Sequence, residues 1–279
     1  MARDVGRPVT PAELRDVAVR LAREAGEMAL AGRRAGRVSA TTKSSPTDMV
    51  TEFDRASERL ICDGLATARP DDAIVGEEGA SRPGTTGLTW HIDPIDGTSN
   101  FYFDLPMWAV SIGVTDRHGP LAGAVFAPAL GDMWAGARGL GATLNDSPIE
   151  GRDNGSLTDA MVCTGYSYRV SERAQHARRV SNMITEVRDI RRFGAAALDI
   201  CLVATGRLDA YFEEHLHSWD LVAAQIIATE AGAIVTDYAG GPVTPDQVLA
   251  ASSRIHAPMV ELLARAGGTG DGSARPGGR

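Results

Sequence analysis

The sequence predicts a layered fold of mixed α+β and α/β character, on three observations. Amphipathic helical patterns open the chain, residues 73–145 break into short β-rich runs punctuated by glycine, and beyond about residue 160 strand-like and helical stretches alternate. Glycine-punctuated runs read as an antiparallel meander, and alternation implies helices layered on a sheet. With 279 residues, 43% hydrophobic and 23% charged, the chain can bury a sizeable core. The expected organisation is a single unit over residues 1–266 with two lobes, about 1–150 carrying the antiparallel sheet and about 151–266 the α/β alternation. Residues 267–279 are expected to be a disordered glycine-rich tail with nothing to bury.

The elements follow in order. Thr10-Pro11-Ala12-Glu13 is a capping box with proline at the first helical position, and Leu14, Val17, Leu21 and Ala22 recur at helical spacing as far as Gly32 to Gly36. A second helix is expected from Thr51, with Asp54 in its first turn, a stripe of Phe53, Leu60, Ile61 and Leu65, and Pro70 as its stop. AIVG, LTWHI, WAVSIGVT, AGAVFAPA and DMWAGA are the strands of the meander. Pro94 cannot donate to a ladder, so the strand LTWHI is expected to end at Asp93. MVCTGY then reads as a strand, residues 172–187 as a helix, DIRRF as a strand and AAALDICLVATG as an apolar helix ending at Gly206. DAYFEE, a helix over 221–231, AIVTDY, VLAAS and a helix over 257–266 complete the series.

Charge and composition exclude several functions. A net charge of −8 and a pI near 5.3 argue against a nucleic-acid surface, and no basic run offsets them. No apolar run reaches the roughly 18 residues that span a bilayer, and the first residues lack a secretory core. A cytoplasmic protein with no membrane partner is expected. Cys62, Cys163 and Cys201 sit in mainly apolar stretches and read as small buried hydrophobes.

The chemistry concentrates in WHIDPIDGTSNF, residues 90–101. The turn after the strand can bring Asp93, the Ile95 carbonyl and Asp96 to one point, while the amides of Gly97, Thr98 and Ser99 can form a nest for an anion. An Asx turn capping a short helix would also satisfy this pattern. Three further acids lie at element ends: Glu77 after the strand AIV, Asp220 before a helix and Asp54 in a first turn. Each has an ordinary reading as a cap or a dipole partner. Together they suit Mg²⁺, which takes oxygen ligands and shares its shell with water and phosphate. Zinc is the rival, because strand alternation would put Glu213, His215 and His217 on one face near Asp220.

With these residues in place, the sequence resembles the inositol monophosphatases, magnesium-dependent and lithium-sensitive phosphomonoesterases. WHIDPIDGTSNF is similar to the family's first signature and SWDLVAAQIIATEAGA to its second. KSSPTDMVTEFD, IVGEEG and FGAAALDICLVATGRLDAYFE match in order, so the resemblance spans about residues 11–266. It implies the layered αβαβα sandwich of the inositol monophosphatase and fructose-1,6-bisphosphatase type, a catalytic unit, a homodimer, and two to three Mg²⁺ ions per site. It makes Glu77, Asp93 and the Ile95 carbonyl ligands of one ion and Asp93, Asp96 and Asp220 ligands of another. Asp54 and Thr98, beside Glu77, would activate the attacking water. Gly97, Thr98 and Ser99 would grip the phosphate, and Gly194, Ala195, Ala196, Glu213 and Asp220 would meet the substrate's hydroxyl-bearing ring.

The implied activity is hydrolysis of inositol 1-phosphate by a metal-activated water. No cysteine lies in an anion-binding loop, and the signature lacks the D-x-D of an aspartyl-phosphate enzyme. The rivals are a phosphatase for histidinol phosphate or for a bisphosphorylated sugar or nucleotide, and a regulatory binding protein without turnover. Ser99, Phe103, Val222 and Ala224 depart from the family's usual residues without removing an implied ligand, and Val222 and Ala224 are expected to shift the helix behind Asp220 slightly. Basic residues serving a larger substrate cannot be chosen among Arg191, Arg192 and Arg207 from sequence.

Overall fold

The computed structural model describes residues 9–36, 38–42, 49–152 and 155–267. The expected tail beyond Gly267, and residues 43–48 of the third matching stretch, lie outside the described residues. Helix α1 (Pro11–Ala35) starts with the capping box that its sequence specifies, Thr10 accepting from the Glu13 amide and Glu13 from the Thr10 amide. It buries Leu14, Ala18, Leu21, Ala22, Ala25 and Ala29 along one face. The antiparallel pair β1 (Ala40–Thr42) and β2 (Met49–Thr51) leads into α2 (Glu52–Ala68), whose cap is Thr51.

The larger sheet takes β3 (Ala73–Gly76), β4 (Ser81–Arg82), β5 (Thr89–Asp96), β6 (Ala109–Asp116), β7 (Gly119–Ala127), β8 (Asp132–Ala137), β9 (Ala142–Leu144) and β10 (Ser147–Pro148). Its order is β10-β9-β8-β7-β6-β5-β3-β4, antiparallel throughout except that β3 and β5 run parallel. A one-turn helix, α3 (Thr98–Tyr102), follows β5. The smaller sheet has β11 (Met161–Thr164), β12 (Asp189–Arg191), β13 (Ala210–Glu214), β14 (Ile234–Thr236) and β15 (Gln247–Ala251) in the order β12-β11-β13-β15-β14. There β11 is parallel to β12 and β13, and β15 is antiparallel to both its neighbours.

Helices α4 (Val170–Met183), α5 (Ala196–Ala204), α6 (Ser218–Glu230) and α7 (Ser253–Gly267) complete five layers. Helices α1 and α2 cover the outer face of the larger sheet, α5 and α6 lie between the sheets, and α4 with α7 covers the outer face of the smaller sheet. The αβαβα arrangement expected from the resemblance is therefore present. Strand alternation sorts the cores: Val110, Ile112 and Val114 of β6 face α1 and α2, while Gly113, between them in sequence, faces α6.

That glycine is one of a row. Gly113 pairs with Gly123 on β7, and Gly123 with Gly136 on β8, so three neighbouring strands lack side chains at one level. Helix α6 lies in the trough. A Cβ on Gly113 would stand 2.6 Å from the Ala223 nitrogen, on Gly123 2.7 Å from the Ala223 Cα, and on Gly136 3.1 Å from the Ile227 Cα. Val222 and Ala224 are buried on this helix, and Val222 touches the same trough.

Several expected boundaries change. Strand β5 continues through Pro94 to Asp96, with a register shift between Asp93 and Asp96; a bulge is a place where proline's missing donor costs little. Helix α6 begins at Ser218, placing Asp220 inside its first turn rather than ahead of it. Helix α4 runs from Val170 to Met183, two residues earlier at its start than expected and four shorter at its end. Helix α7 begins at Ser253, four residues earlier than expected, and carries Pro258 in its interior.

Candidate active site

Both sheets turn the carboxyl ends of their parallel strands toward one crevice, where ligands of open α/β sheets bind. Glu77 follows β3, Asp93 and Asp96 occupy the bulged end of β5, Glu213 lies near the end of β13, and Asp220 sits in the first turn of α6. The bulge re-aims the chain so that Asp93 and Asp96 are both inward and buried.

Asp93 accepts from the Ile95 amide at 3.0 Å, which closes the turn around Pro94. Burial raises its pKa well above the ordinary carboxylate range, and repulsion from Glu77, Asp96 and Asp220 raises it further. Asp96 is raised for the same reasons, burial first and then Asp220, although one of its oxygens accepts from the Leu198 amide at 3.0 Å. That bond caps α5, whose own cap position, Ala195, has no side chain to offer. Asp96 is thus a cap, as an acid at such a turn can be, but for a helix a hundred residues away in the chain. Asp220 accepts from the His217 amide at 2.7 Å, the reach-back of a first-turn acid.

Asp54 is fully buried at the start of α2. One carboxylate oxygen takes the Thr51 amide at 2.8 Å and the Thr51 hydroxyl at 2.5 Å; the other takes the Thr98 hydroxyl at 3.0 Å. Burial raises its pKa against the pull of these bonds. The Thr98 hydroxyl also lies 3.1 Å from the Ile95 carbonyl, so its single proton is shared between two acceptors. The expected Asp54 and Thr98 pair is brought together, with the Ile95 carbonyl beside it.

Gly97 adopts φ +89°, and a Cβ there would stand 3.0 Å from both the Ala195 Cβ and the Met107 carbonyl. This close approach brings Thr98 and Ser99 against the start of α5, so Gly97, Gly194, Ala195 and Ala196 share one corner. Asn100 ties the corner, donating to the Met107 carbonyl at 2.6 Å and the Phe193 carbonyl at 2.8 Å. Glu213 receives the Tyr211 hydroxyl at 2.5 Å, and burial pushes its carboxyl up to about 7.

Several positioning residues carry no sequence motif. Glu58 of α2 accepts from the Glu78 amide at 2.9 Å and the Ala80 amide at 3.0 Å, fixing the loop that carries Glu77. Ser57 donates to the Pro94 carbonyl at 3.1 Å. Asp54, Ser57 and Glu58 recur at i, i+3 and i+4, a buried polar stripe ahead of the apolar Ile61 and Leu65, and this interruption is the signal that could have found them. Beyond Ser99 the crevice widens into a cleft of about 290 Å³ lined by Ser99, Tyr166, Tyr168, Arg173 and Arg192.

The zinc alternative does not assemble as the sequence suggested. Strand β13 ends at Glu214 and His215 turns away with φ +63°, while His217 stacks on Trp219 at 4.7 Å. Among the described residues, the group of His, Cys, Asp and Glu whose ligand atoms all lie within 4.8 Å of one another is His176, Glu214 and His215. There the Glu214 oxygen already meets His176 and the Arg179 guanidinium, each at 2.9 Å. The acids of the crevice are spread more widely. Their donor set, oxygen only and strained by mutual repulsion, fits hard divalent cations better than zinc. Cys163 and Cys201 are fully buried, and burial raises both thiols, so neither offers a nucleophile.

Comparison with known proteins agrees with this geometry. The model of the inositol monophosphatase family matches residues 10–266. The inositol-1-monophosphatase SuhB of Mycobacterium tuberculosis is 42% identical, over 88% of this chain and 95% of its own length. A protein of Vibrio cholerae named Nus factor SuhB is 38% identical, over 81% of this chain and 85% of its own. Among solved structures, an IMPase of Thermotoga maritima aligns with a TM-score of 0.82 and 31% identity, over 90% of this chain and 96% of its own. The extragenic suppressor protein suhB of Bartonella henselae aligns with a TM-score of 0.84 and 30% identity, over 90% and 98%.

Proposed function

This chain belongs to the inositol monophosphatase family, and from that membership we propose that it is a Mg²⁺-dependent phosphomonoesterase that hydrolyses inositol 1-phosphate to inositol and phosphate. The observation that carries the reading is the Asp54 and Thr98 hydrogen bond at 3.0 Å, set beside the buried carboxylates of Asp93 and Asp96. In this proposal Glu77, Asp93, the Ile95 carbonyl, Asp96 and Asp220 hold two to three Mg²⁺ ions. When bound, the metal would offset charge on the phosphoryl oxygens and make water a better nucleophile.

The remaining steps belong to the chain. Thr98 donates to Asp54, which leaves its oxygen lone pairs free to accept a proton from a water in the crevice. Asp54, with its pKa raised by burial, is suited to take up that proton through the Thr98 hydroxyl. The amides of Gly97, Thr98 and Ser99 would hold the phosphate, while Gly194, Ala195, Ala196, Glu213 and Asp220 orient the hydroxyl-bearing leaving group. Glu213, balanced near neutrality, can donate to or accept from a hydroxyl.

Phosphate release from inositol 1-phosphate, histidinol phosphate and adenosine 3′,5′-bisphosphate tests this. Inositol 1-phosphate is expected to be hydrolysed, with activity lost in EDTA and restored by Mg²⁺. Full activity in chelator would remove the metal from the mechanism, and release from histidinol phosphate alone would replace the substrate.

A further inference from the structure

Two polar ties join the larger sheet to the first turn of α6, and neither uses the acids of the crevice. Trp90 and Ile92 of β5 pack toward α1 and α2, so the alternate residues His91 and Asp93 face α6. Asp93 pairs with Ser111 on β6 and His91 with Gly113, which puts Ser111 on that same face. His91 Nδ1 lies 2.9 Å from the Ser218 hydroxyl, and Ser111 donates to the Trp219 carbonyl at 3.1 Å. Ser218 and Trp219 are the two residues immediately before Asp220.

The His91 tie has a direction. Burial pushes the ring's pKa down to about 4, so at neutral pH it offers one N–H and one lone pair. Its Nε2 lies 3.2 Å from the Thr115 hydroxyl, whose own proton turns to the Thr89 carbonyl at 3.4 Å. That network makes Nε2 the donor to Thr115 and Nδ1 the acceptor from Ser218, so the ring spans β6 and α6 with both ends satisfied. Ser111 is fully buried, which shields its bond to Trp219 from water. Both bonds need α6 close to the sheet, and Gly113 allows it: a Cβ there would stand 2.6 Å from the Ala223 nitrogen.

These ties act against a force. Asp220 repels both Asp93 and Asp96, and a helix start free to tilt would relieve that repulsion by moving its acid away. We propose that His91 and Ser111 are positioning residues of the site: by holding Ser218 and the Trp219 carbonyl against β5 and β6, they keep Asp220 opposite Asp93. The inference rests on the phosphatase reading, specifically on Asp93 and Asp220 as ligands of one Mg²⁺, and adds the residues that set their spacing. Neither side chain is a ligand; each acts through the backbone that carries Asp220. Carboxylates already in place bind a cation without first moving a helix, and polar partners behind metal ligands commonly contribute about 10- to 100-fold in affinity.

Calorimetric titration of metal-free protein with Mg²⁺, alongside thermal melting without metal, tests this. Ser218→Ala removes the hydroxyl that His91 holds and Ser111→Ala the donor to Trp219; each is expected to raise the Mg²⁺ Kd about tenfold. Alanine is the better helix former and a loosened α6 relieves repulsion among the acids, so the metal-free midpoint of Ser218→Ala should stay the same or rise. In phosphate release, the Mg²⁺ concentration for half-maximal rate should rise while the rate at saturating Mg²⁺ is largely kept. Ser218→Thr keeps the hydroxyl and should restore most of the affinity. His91→Phe should weaken binding no further in the Ser218→Ala background, since both changes break one bond. An unmoved Kd in either alanine variant, no rescue by Ser218→Thr, additive losses from His91→Phe and Ser218→Ala, or a lowered metal-free midpoint in Ser218→Ala would overturn the inference while leaving the phosphatase reading intact. If the unaltered protein takes up no Mg²⁺, the metal reading falls and this inference falls with it.

Discussion

At the scale of single residues the sharpest commitment is Thr98. Its hydroxyl is 3.0 Å from Asp54 and 3.1 Å from the Ile95 carbonyl, and it is the group through which Asp54 can reach the crevice. Thr98→Ala should lower kcat by about 10²- to 10⁴-fold, the usual worth of a positioned general base, with phosphate binding largely kept by neighbouring amides. Thr98→Ser keeps the hydroxyl and should retain much more turnover; equal damage from both would assign the methyl group a packing role. These two residues were legible in the sequence because acids and hydroxyls at glycine-bracketed element ends are few. Asp96 was legible as an acid but not as the cap of α5, since a bond from Asp96 to Leu198 spans 102 positions and has no local pattern.

At the scale of elements, periodicity announced the helices and most strands, while their ends depended on tertiary contacts. Strand β5 passes through Pro94 because the ladder to β6 shifts register there, a compensation no single-strand pattern contains. The short strands β1, β2, β4, β9 and β10 are too brief to show alternation. The trough of Gly113, Gly123 and Gly136 was present as letters, but its meaning needs the register that aligns them. That trough seats α6 and, through it, Asp220. Gly123→Ala would push a Cβ to 2.7 Å from the Ala223 Cα, a backbone contact that no rotamer relieves. We expect a loss of about 1–3 kcal/mol of stability, as overpacking typically costs, together with reduced phosphatase activity as α6 is displaced. Chemical denaturation measures the first and phosphate release the second; an unchanged midpoint with full activity would mean that α6 is not held by this contact.

At the scale of the whole molecule, the two sheets are joined by a common middle layer. Helices α5 and α6 pack against the larger sheet through Ala109, Val125 and Trp134 and against the smaller one through Tyr211, Val248 and Ala250, so one apolar cluster serves both. Neither sheet can lose that layer without exposing core, and Asp96 adds a polar tie from β5 to the start of α5. The chain is therefore expected to unfold in one transition despite its length, although many proteins of this size populate intermediates. The four tryptophans sit on or beside the larger sheet or on α6, so their fluorescence reports that side, whereas calorimetry reports the whole. The two midpoints should coincide, and Mg²⁺ should raise both together, by mass action on a site built from β3, β5 and α6. A calorimetric peak without a fluorescence change would show the smaller sheet unfolding alone, and a Mg²⁺ shift surviving in Asp96→Asn would place the ion elsewhere.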